Sequence, residues 1–217
     1  KRNDVVLINY TGWRQASGDT FFTTRGRGQM RLKLAQAAPG FTEALQLVHK
    51  GETVMLWMPP EIGYKTPPAK PETLVYQLEL ADLVPAPAIP EDVGKPPAKA
   101  TVLPLGTKYV VLRPGTGQTK ARQFDSVTYT YTVWNSDGKM LDNTMDSDHQ
   151  TIVAPWKESP ALNEILTSMT AGERSRFWVE ADKAAATGRT IPGAQGVLCY
   201  EVEVQAIEKA LHEAPLT

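Results

Sequence analysis

The chain repeats one set of short sequence motifs at a nearly constant spacing, and this repeat constrains the fold more than any other feature. Tyr10-Thr11-Gly12-Trp13 is matched by Tyr131-Thr132-Val133-Trp134 at an offset of 121 residues. Further matches keep the same order: Glu43/Glu164, Leu45/Leu166, Gly51/Gly172 and Trp57/Trp178 at offset 121, then Leu74/Leu198, Tyr76/Tyr200 and Glu79/Glu203 at offset 124. An ordered series of this kind indicates two copies of one structural unit. The length of 217 residues accommodates two small domains.

Both copies show the same order of predicted elements. Residues 4–10 and 125–134 are rich in β-branched and aromatic side chains, which predicts strands, and Ser136-Asp137-Gly138 predicts a hairpin turn. One segment in each copy has apolar residues at the spacing of a helix face: Phe41, Leu45 and Val48, or Leu162, Ile165, Leu166 and Met169. We expect each helix to be closed by Gly51 or Gly172 just past its end.

The remaining segments return to strand-like composition. They are residues 53–58 and 74–80 in the first copy, and 174–179 and 197–207 in the second. One helix among several strands, without a repeated strand-helix alternation, predicts an α+β unit in which the helix covers one face of an antiparallel sheet.

A proline-rich stretch separates the two copies. Pro85, Pro87, Pro90, Pro96 and Pro97 fall in a region without a helical or alternating apolar period, which predicts an extended, stiff linker. The predicted divisions are a first domain at 1–82, a linker at 83–100, a second domain at 101–208 and a tail at 209–217.

Composition excludes several classes of protein. The 23 Lys and Arg residues balance 24 Asp and Glu, so no net field attracts nucleic acid and no nucleic-acid partner is expected. The single cysteine, Cys199, excludes an intramolecular disulfide framework, and no apolar run approaches the roughly 18 residues of a membrane span. The chain opens at Lys1 without a start methionine or signal peptide, which leaves both a cytoplasmic and an extracytoplasmic compartment open.

Two charged segments are the other candidate sites. Asp142, Asp146, Asp148 and His149 are rich in oxygen ligands, but the glycine and closing glutamate of a calcium loop are absent, so a solvated loop and no metal are favoured. The basic loop that begins Arg25-Gly26-Arg27-Gly28 could meet a phosphate or an acidic partner. Because no aromatic residues are interleaved with its charges, a solvated loop is again the favoured interpretation.

Taken together, the motifs resemble the FKBP family of peptidyl-prolyl isomerases, over nearly the whole chain and twice. In the first copy they are Tyr10-Thr11-Gly12, Phe21, Gly40-Phe41, Gly51-Glu52, Pro60-x-x-x-Tyr64 and the run 73–80; in the second they include Tyr109, Tyr131-Thr132, Asp142, Gly172-Glu173, Ile191-Pro192 and Tyr200. The resemblance implies a curved antiparallel sheet, a half-barrel, wrapped on one short helix in each domain. The first copy lacks an equivalent of the strand around Tyr109, so we expect its first strand to lie upstream of Lys1.

The family's reaction has a simple physical basis. Rotation about an Xaa-Pro bond breaks amide resonance, with a barrier of about 18 to 20 kcal/mol. A dry aromatic pocket favours the twisted amide over the planar amide, which water solvates better, so no acid, base, metal or cofactor is required. An acceleration of about 10⁴-fold requires about 5 to 6 kcal/mol of differential binding.

By resemblance, the first copy carries the catalytic pocket. The implied catalytic residues are Tyr10, Phe21, Phe41, Tyr64 and Tyr76, and the implied substrate-binding residues are Met30 and Phe22. Phe22 stands where the family has Asp, and Met30 stands where it has Phe. The second copy keeps Tyr131, Asp142 and Tyr200 but has Leu141 for Phe and Leu162 for the Trp floor, so we expect it to lack a proline pocket and to be inactive.

The resemblance, with these departures from the family pattern, implies two alternative functions. The first is a peptidyl-prolyl isomerase or folding helper that acts on proline-containing client polypeptides, with its activity in residues 1–82. The alternative is a non-catalytic, chaperone-like scaffold that binds peptides with two degenerate domains. Phe22 and Met30 discriminate between them, because the catalytic hypothesis must tolerate both substitutions whereas the non-catalytic hypothesis expects them.

Overall fold

The computed structural model describes residues 1, 3–63, 71–144, 151–185 and 191–211. The chain divides into two compact units, unit 1 at Lys1–Ala86 and unit 2 at Pro87–Thr217. Each unit has one antiparallel sheet and few, short helices, which confirms the α+β prediction. Within the described ranges, no helix has the length and apolarity required to cross a lipid bilayer.

Unit 1 is a five-stranded sheet packed against one short helix. Its elements are β1 (Val5–Arg14), β2 (Thr20–Thr23), β3 (Met30–Lys33), α1 (Pro39–Leu45), β4 (Thr53–Met58) and β5 (Leu74–Val84). The strand order is β2-β1-β5-β4, and β3 also pairs with β1. Val6, Ile8 and Leu78 are buried in one core with Phe41 and Leu45 of α1, so the helix covers the inner face of the sheet.

The first helix is shorter than its apolar spacing predicts. Helix α1 begins with Pro39 in its first turn and ends at Leu45, so Val48 lies beyond it. Gly51 does not close the helix. Its φ of 86° instead belongs to the turn that leads into β4, where its amide donates to the carbonyl of Leu80 at 2.7 Å.

Unit 2 repeats this arrangement with additional strands. Its elements are β6 (Thr101–Val102), β7 (Lys108–Arg113), β8 (Ser126–Asn135), β9 (Met140–Asn143), β10 (Thr151–Val153), α2 (Pro160–Ser168), β11 (Arg174–Glu180), α3 (Ala181–Ala184) and β12 (Val197–Glu208). The strand order is β10-β8-β12-β11-β7-β6, and β9 pairs with β8. The predicted hairpin turn is confirmed between β8 and β9, where Gly138 has a φ of 80°. Strand β7 has no counterpart beside β4 within the described part of unit 1.

The second helix is fixed by its amino-terminal cap. The Ser159 hydroxyl accepts a hydrogen bond from the amide of Leu162 at 3.3 Å, and Pro160 occupies the first turn. Leu162, Ile165 and Leu166 are buried against the sheet, as their spacing predicts. The helix ends at Ser168, earlier than predicted, because Met169 adopts an extended conformation.

The proline-rich stretch predicted as a linker at 83–100 is divided between the two units. Its first two residues, 83 and 84, belong to β5, and residues from Pro87 onward belong to unit 2. The indole nitrogen of Trp178 donates to the carbonyl of Asp92 at 3.0 Å, and Val93 packs beside Trp134. These contacts hold the stretch against the outer face of the unit 2 sheet.

Candidate active site

Five aromatic rings meet in unit 1, and we call them the aromatic cluster: Tyr10, Phe21, Phe22, Phe41 and Tyr76. Tyr10 stacks on Phe22 with ring centroids 4.9 Å apart, and Phe41 meets Tyr76 edge to face at 4.8 Å. Tyr10 lies 5.8 Å from Phe41 and 5.9 Å from Tyr76. Phe21 meets Tyr76 edge to face at 5.7 Å. Strands β1, β2 and β5 and helix α1 therefore bring together four of the five predicted catalytic residues.

A local irregularity places the two adjacent phenylalanines in this cluster. The register of β1 and β2 shifts between Gly12 and Trp13, so Phe22 lies opposite Gly12 and Phe21 is left out of the paired positions. A Cβ atom at Gly12 would lie 2.5 Å from the Phe21 ring. Glycine at position 12 therefore gives the Phe21 ring its place over β1.

The cluster is closed at its base and open at one ring. Phe41 and Tyr76 are buried, whereas Phe21 is 40% exposed and can contact a ligand. Met30 is half-buried against the same core, at the site where substrate binding is predicted. Tyr64 lies outside the described residues, so its catalytic role stays a prediction.

Phe22 gives the cluster an apolar wall at the place of the family's carboxylate. Its ring is stacked on Tyr10, and the Arg27 guanidinium carbon lies 5.7 Å from its centroid. A cation over an aromatic face is weakly attracted by the ring quadrupole. The site therefore has an arginine beside a ring at the position where unit 2 has Asp142.

A polar hollow of about 310 Å³ adjoins the cluster at Tyr10. Its lining consists of Asn9, Tyr10, Thr11, Thr24, Arg25, Thr53, Gln77 and Glu79. Asn9 donates to the Glu79 carboxylate at 3.0 Å, and Thr11 and Thr23 share a hydrogen bond of 2.9 Å. The predicted rings do converge, but this hollow is polar and contacts only one of them.

Unit 2 contains a larger cavity of about 510 Å³. Its apolar and aromatic lining is Tyr129, Tyr131, Leu141, Leu162, Ala184, Ile191, Pro192 and Tyr200, and its polar lining is Asp142, Asn143, Thr144, Thr151, Glu158 and Ser159. Unit 2 therefore does contain a cavity at the predicted site, and the expectation that this site cannot hold a proline ring for catalysis stays a prediction. Leu141 and Leu162, which stand where the resemblance implies two large rings, border this cavity.

The predicted unit 2 residues form the wall of this cavity. The Tyr131 hydroxyl donates to the Asp142 carboxylate at 2.5 Å, and the Tyr129 hydroxyl donates to Glu158 at 3.5 Å. Burial, reinforced by the hydrogen bond to Asp142, raises the pKa of Tyr131 well above its usual range. Burial likewise raises the pKa of Tyr200, whose hydroxyl has no hydrogen-bond partner in the described structure. These hydroxyls stay protonated at neutral pH.

The sequence pattern missed two of these residues. Tyr129 precedes Tyr131 by two positions on β8 and therefore shares its face, a period that could have identified it. Glu158 precedes the Ser159 cap of α2, and its position depends on the path of the chain into the helix. No local motif signals that path.

Comparison with known proteins now identifies the family of this fold. The sequence model of FKBP-type peptidyl-prolyl cis-trans isomerases matches residues 1–81 and 117–205. The FKBP-type peptidyl-prolyl cis-trans isomerase FkpA of Escherichia coli K12 is 37% identical over 92 residues, which are 40% of this chain and 34% of that protein. A probable FKBP-type isomerase of Haemophilus influenzae is 36% identical over 93 residues, 39% of this chain and 37% of its own length. The chain thus spans about a third of the length of these relatives.

Two solved structures resemble the chain at lower identity. A peptidyl-prolyl cis-trans isomerase of Pseudomonas syringae is 22% identical with a TM-score of 0.46, covering 54% of this chain and 86% of that one. The three FKBP domains of wheat FKBP73 are 20% identical with a TM-score of 0.45, covering 97% of this chain and 89% of that one. Because the family's sequence model matches two separate regions that together make up most of the residues, this chain belongs to the FKBP-type peptidyl-prolyl cis-trans isomerase family.

Proposed function

We propose that the chain catalyses cis-trans isomerisation of Xaa-Pro bonds in client polypeptides, with the aromatic cluster of unit 1 as its catalytic surface. The observation that supports this most directly is the meeting of Tyr10, Phe21, Phe41 and Tyr76 from four different elements. A proline ring is flat and apolar, and aromatic faces supply contact area at low entropic cost. The exposed Phe21 ring is where such contact begins.

The mechanism follows from desolvation. As the amide twists, it loses resonance and much of its dipole. The twisted amide therefore gives up less hydration free energy than the planar amide when it moves from water to an apolar surface. Phe22 in place of a carboxylate makes this surface more apolar, while also removing a charged hydrogen-bond acceptor. The rings together must supply about 5 to 6 kcal/mol of differential stabilisation for an acceleration of about 10⁴-fold.

The unit 2 cavity favours a second function, the binding of proline-containing segments without comparable catalysis. Its volume of about 510 Å³ lies in the range of small-molecule and side-chain pockets. Asp142 and Glu158 keep its wall polar, and a polar wall solvates the planar amide much as water does. This cavity therefore suits a holding site on a folding helper.

One measurement tests the proposal. Exchange between cis and trans forms of a short peptide with a Leu-Pro bond is followed by NMR, with and without the intact chain. We expect acceleration at catalytic concentrations of protein. Peptide binding without acceleration would replace the catalytic proposal by the scaffold function, and the absence of both would refute the two together.

A further inference from the structure

The loop between β2 and β3 brings two arginines to the aromatic cluster. Arg25 and Arg27 alternate with Gly26 and Gly28, whose φ angles are 77° and 84°. The amide of Arg27 donates to the carbonyl of Thr24 at 2.9 Å, which closes a turn. Since positive φ favours glycine, this sequence defines the course of the loop and with it the positions of both arginines.

Both arginines lie beside the proposed site. Arg27 lies over the Phe22 ring at 5.7 Å, and that ring is stacked on Tyr10 at 4.9 Å. Arg25 lines the hollow that adjoins Tyr10. A peptide that contacts the exposed Phe21 ring therefore passes within reach of two positive charges.

Neither of these arginines is engaged in an ion pair in the described part of the chain, and both are exposed. Glu79 lines the same hollow as Arg25 and keeps its negative charge, but its side chain is hydrogen-bonded to the neutral amide of Asn9 at 3.0 Å and not to Arg25. Phe22 stands at the position that Asp142 occupies in unit 2, so the acid of the second copy has no counterpart here.

We propose that Arg25 and Arg27 make the unit 1 site selective for Xaa-Pro segments that carry a carboxylate within a few residues of the proline. This inference rests on the proposed function, because it names the clients of that same site. Exposed charge pairs are individually weak, so each arginine contributes about a two- to threefold preference. The preference acts on peptide binding, and it therefore changes KM and leaves kcat nearly constant.

The test compares three peptides that share a Leu-Pro core and differ only in the flanking residues: Glu, Gln or Lys on both sides. For the intact chain, we expect kcat/KM to be about three- to tenfold higher for the Glu peptide than for the Gln peptide, and lowest for the Lys peptide. Because these charges are exposed, the ratio should fall toward one at about 1 M salt.

Two charge-removing variants identify the source of the preference. Arg25→Gln and Arg27→Gln together should bring the Glu-to-Gln ratio close to one. The matched control is Lys50→Gln, which removes a positive charge of unit 1 that is engaged with Asp82 at 2.7 Å, and it should keep the wild-type ratio. An equal rate for all three peptides in the wild-type chain, or an unchanged ratio in the double variant, would overturn the inference.

The charge preference can also be measured without turnover. If no peptide is isomerised, the proposed catalysis fails, and calorimetric titration of the same three peptides still decides the inference. Tighter binding of the Glu peptide that disappears in the double variant supports it. Equal affinity for the three peptides refutes it.

Discussion

The two units arrange their corresponding strands in the same order, but they differ in the side chains and the space at the candidate site. In unit 1 the rings of Phe21 and Phe41 contact Tyr76. The corresponding residues of unit 2, Leu141 and Leu162, border a cavity of about 510 Å³. Aromatic content and concavity are therefore separate properties within this family fold. The unit with more rings has the more closely packed cluster, and the unit with fewer rings has the larger space.

The same contrast extends to polarity. In unit 1 the neighbour of Tyr10 is Phe22. In unit 2 the neighbour of Tyr131 is Asp142, whose carboxylate accepts a hydrogen bond of 2.5 Å from the Tyr131 hydroxyl. A dry surface favours a twisted amide, and a polar one holds a planar peptide. Under the proposed function, this difference predicts catalysis in unit 1 and peptide binding in unit 2.

The largest predicted effect concerns a buried acid that the two units share. Asp125 accepts hydrogen bonds from the amides of Arg122 and Ala210 at 2.8 and 2.9 Å and from Lys209 at 3.1 Å. We expect Asp125→Asn to lower the free energy of unfolding of unit 2 by about 3 kcal/mol, because charge-assisted bonds are lost. Hydrogen exchange of the β8 amides measures this separately from unit 1.

The equivalent residue of unit 1 is the matched control. Asp4 is also buried, and it accepts from the amide of Ala86 at 2.9 Å and from the exposed terminal ammonium of Lys1, whereas Asp125 is paired with two cationic side chains. Asp4→Asn should therefore cost less, about 1 kcal/mol. Equal losses in the two units would contradict the assigned role of Lys209 and Arg122.

The same carboxylate predicts how unit 2 responds to acid. Burial opposes its charged form, but hydrogen bonds from Ala210, Arg122 and Lys209 outweigh this and hold the pKa of Asp125 well below its usual range. A lowered pKa in the folded state stabilises the fold above the unfolded value of about 3.9, and this stabilisation is lost as the pH falls below it. Unfolding of wild type and Asp125→Asn between pH 6 and 2 should therefore converge at low pH.

The next largest effect distinguishes the two sites directly. Phe21 and Leu141 occupy equivalent positions, one partly exposed beside Tyr76 and the other on the wall of the unit 2 cavity. We expect Phe21→Ala to lower kcat/KM for a Leu-Pro peptide about 10- to 100-fold and Leu141→Ala to change it less than about twofold. The reverse order of effects would move catalysis to unit 2.

Strand positions were readable from the sequence because their signal is local. The predicted strand at 53–58 coincides with β4, because strand-forming residue types within the segment itself are sufficient to predict it. The helix ends were not readable. Gly51 and Gly172 were expected to cap helices, but both have positive φ in turns that precede strands, because the chain leaves each helix several residues earlier.

The content of the sites was predictable only in part. Tyr10, Phe21, Phe41 and Tyr76 meet as the family resemblance implies. The unit 2 cavity was not foreseen, because a cavity depends on whether neighbouring side chains move into the space that a smaller residue leaves. A list of substitutions such as Leu for Trp does not contain that information.

A smaller effect tests the polarity contrast. Phe22→Asp restores to unit 1 the carboxylate that unit 2 retains, next to Tyr10 and with Arg27 already above the position. We expect kcat/KM to fall by about fivefold to tenfold, because a carboxylate at this position makes the unit 1 surface polar, as Asp142 does in unit 2, and a polar surface favours the planar amide. The apolar control is Phe22→Leu, which should change the rate by less than about twofold. A rise in kcat/KM for Phe22→Asp would contradict the desolvation mechanism for unit 1.

The smallest expected effect is that of pH on turnover. The mechanism requires no proton transfer, and burial raises the pKa values of Tyr131 and Tyr200 well above 10, so that both hydroxyls remain protonated and neutral through the physiological range. In unit 1, the described histidine, His49, is exposed and hydrogen-bonded to Glu52, away from the aromatic cluster. We therefore expect kcat/KM to vary less than about twofold between pH 6 and 8 for the Gln-flanked peptide. A bell-shaped dependence of kcat/KM on pH in that range would indicate general acid-base catalysis and would contradict the desolvation mechanism for both units.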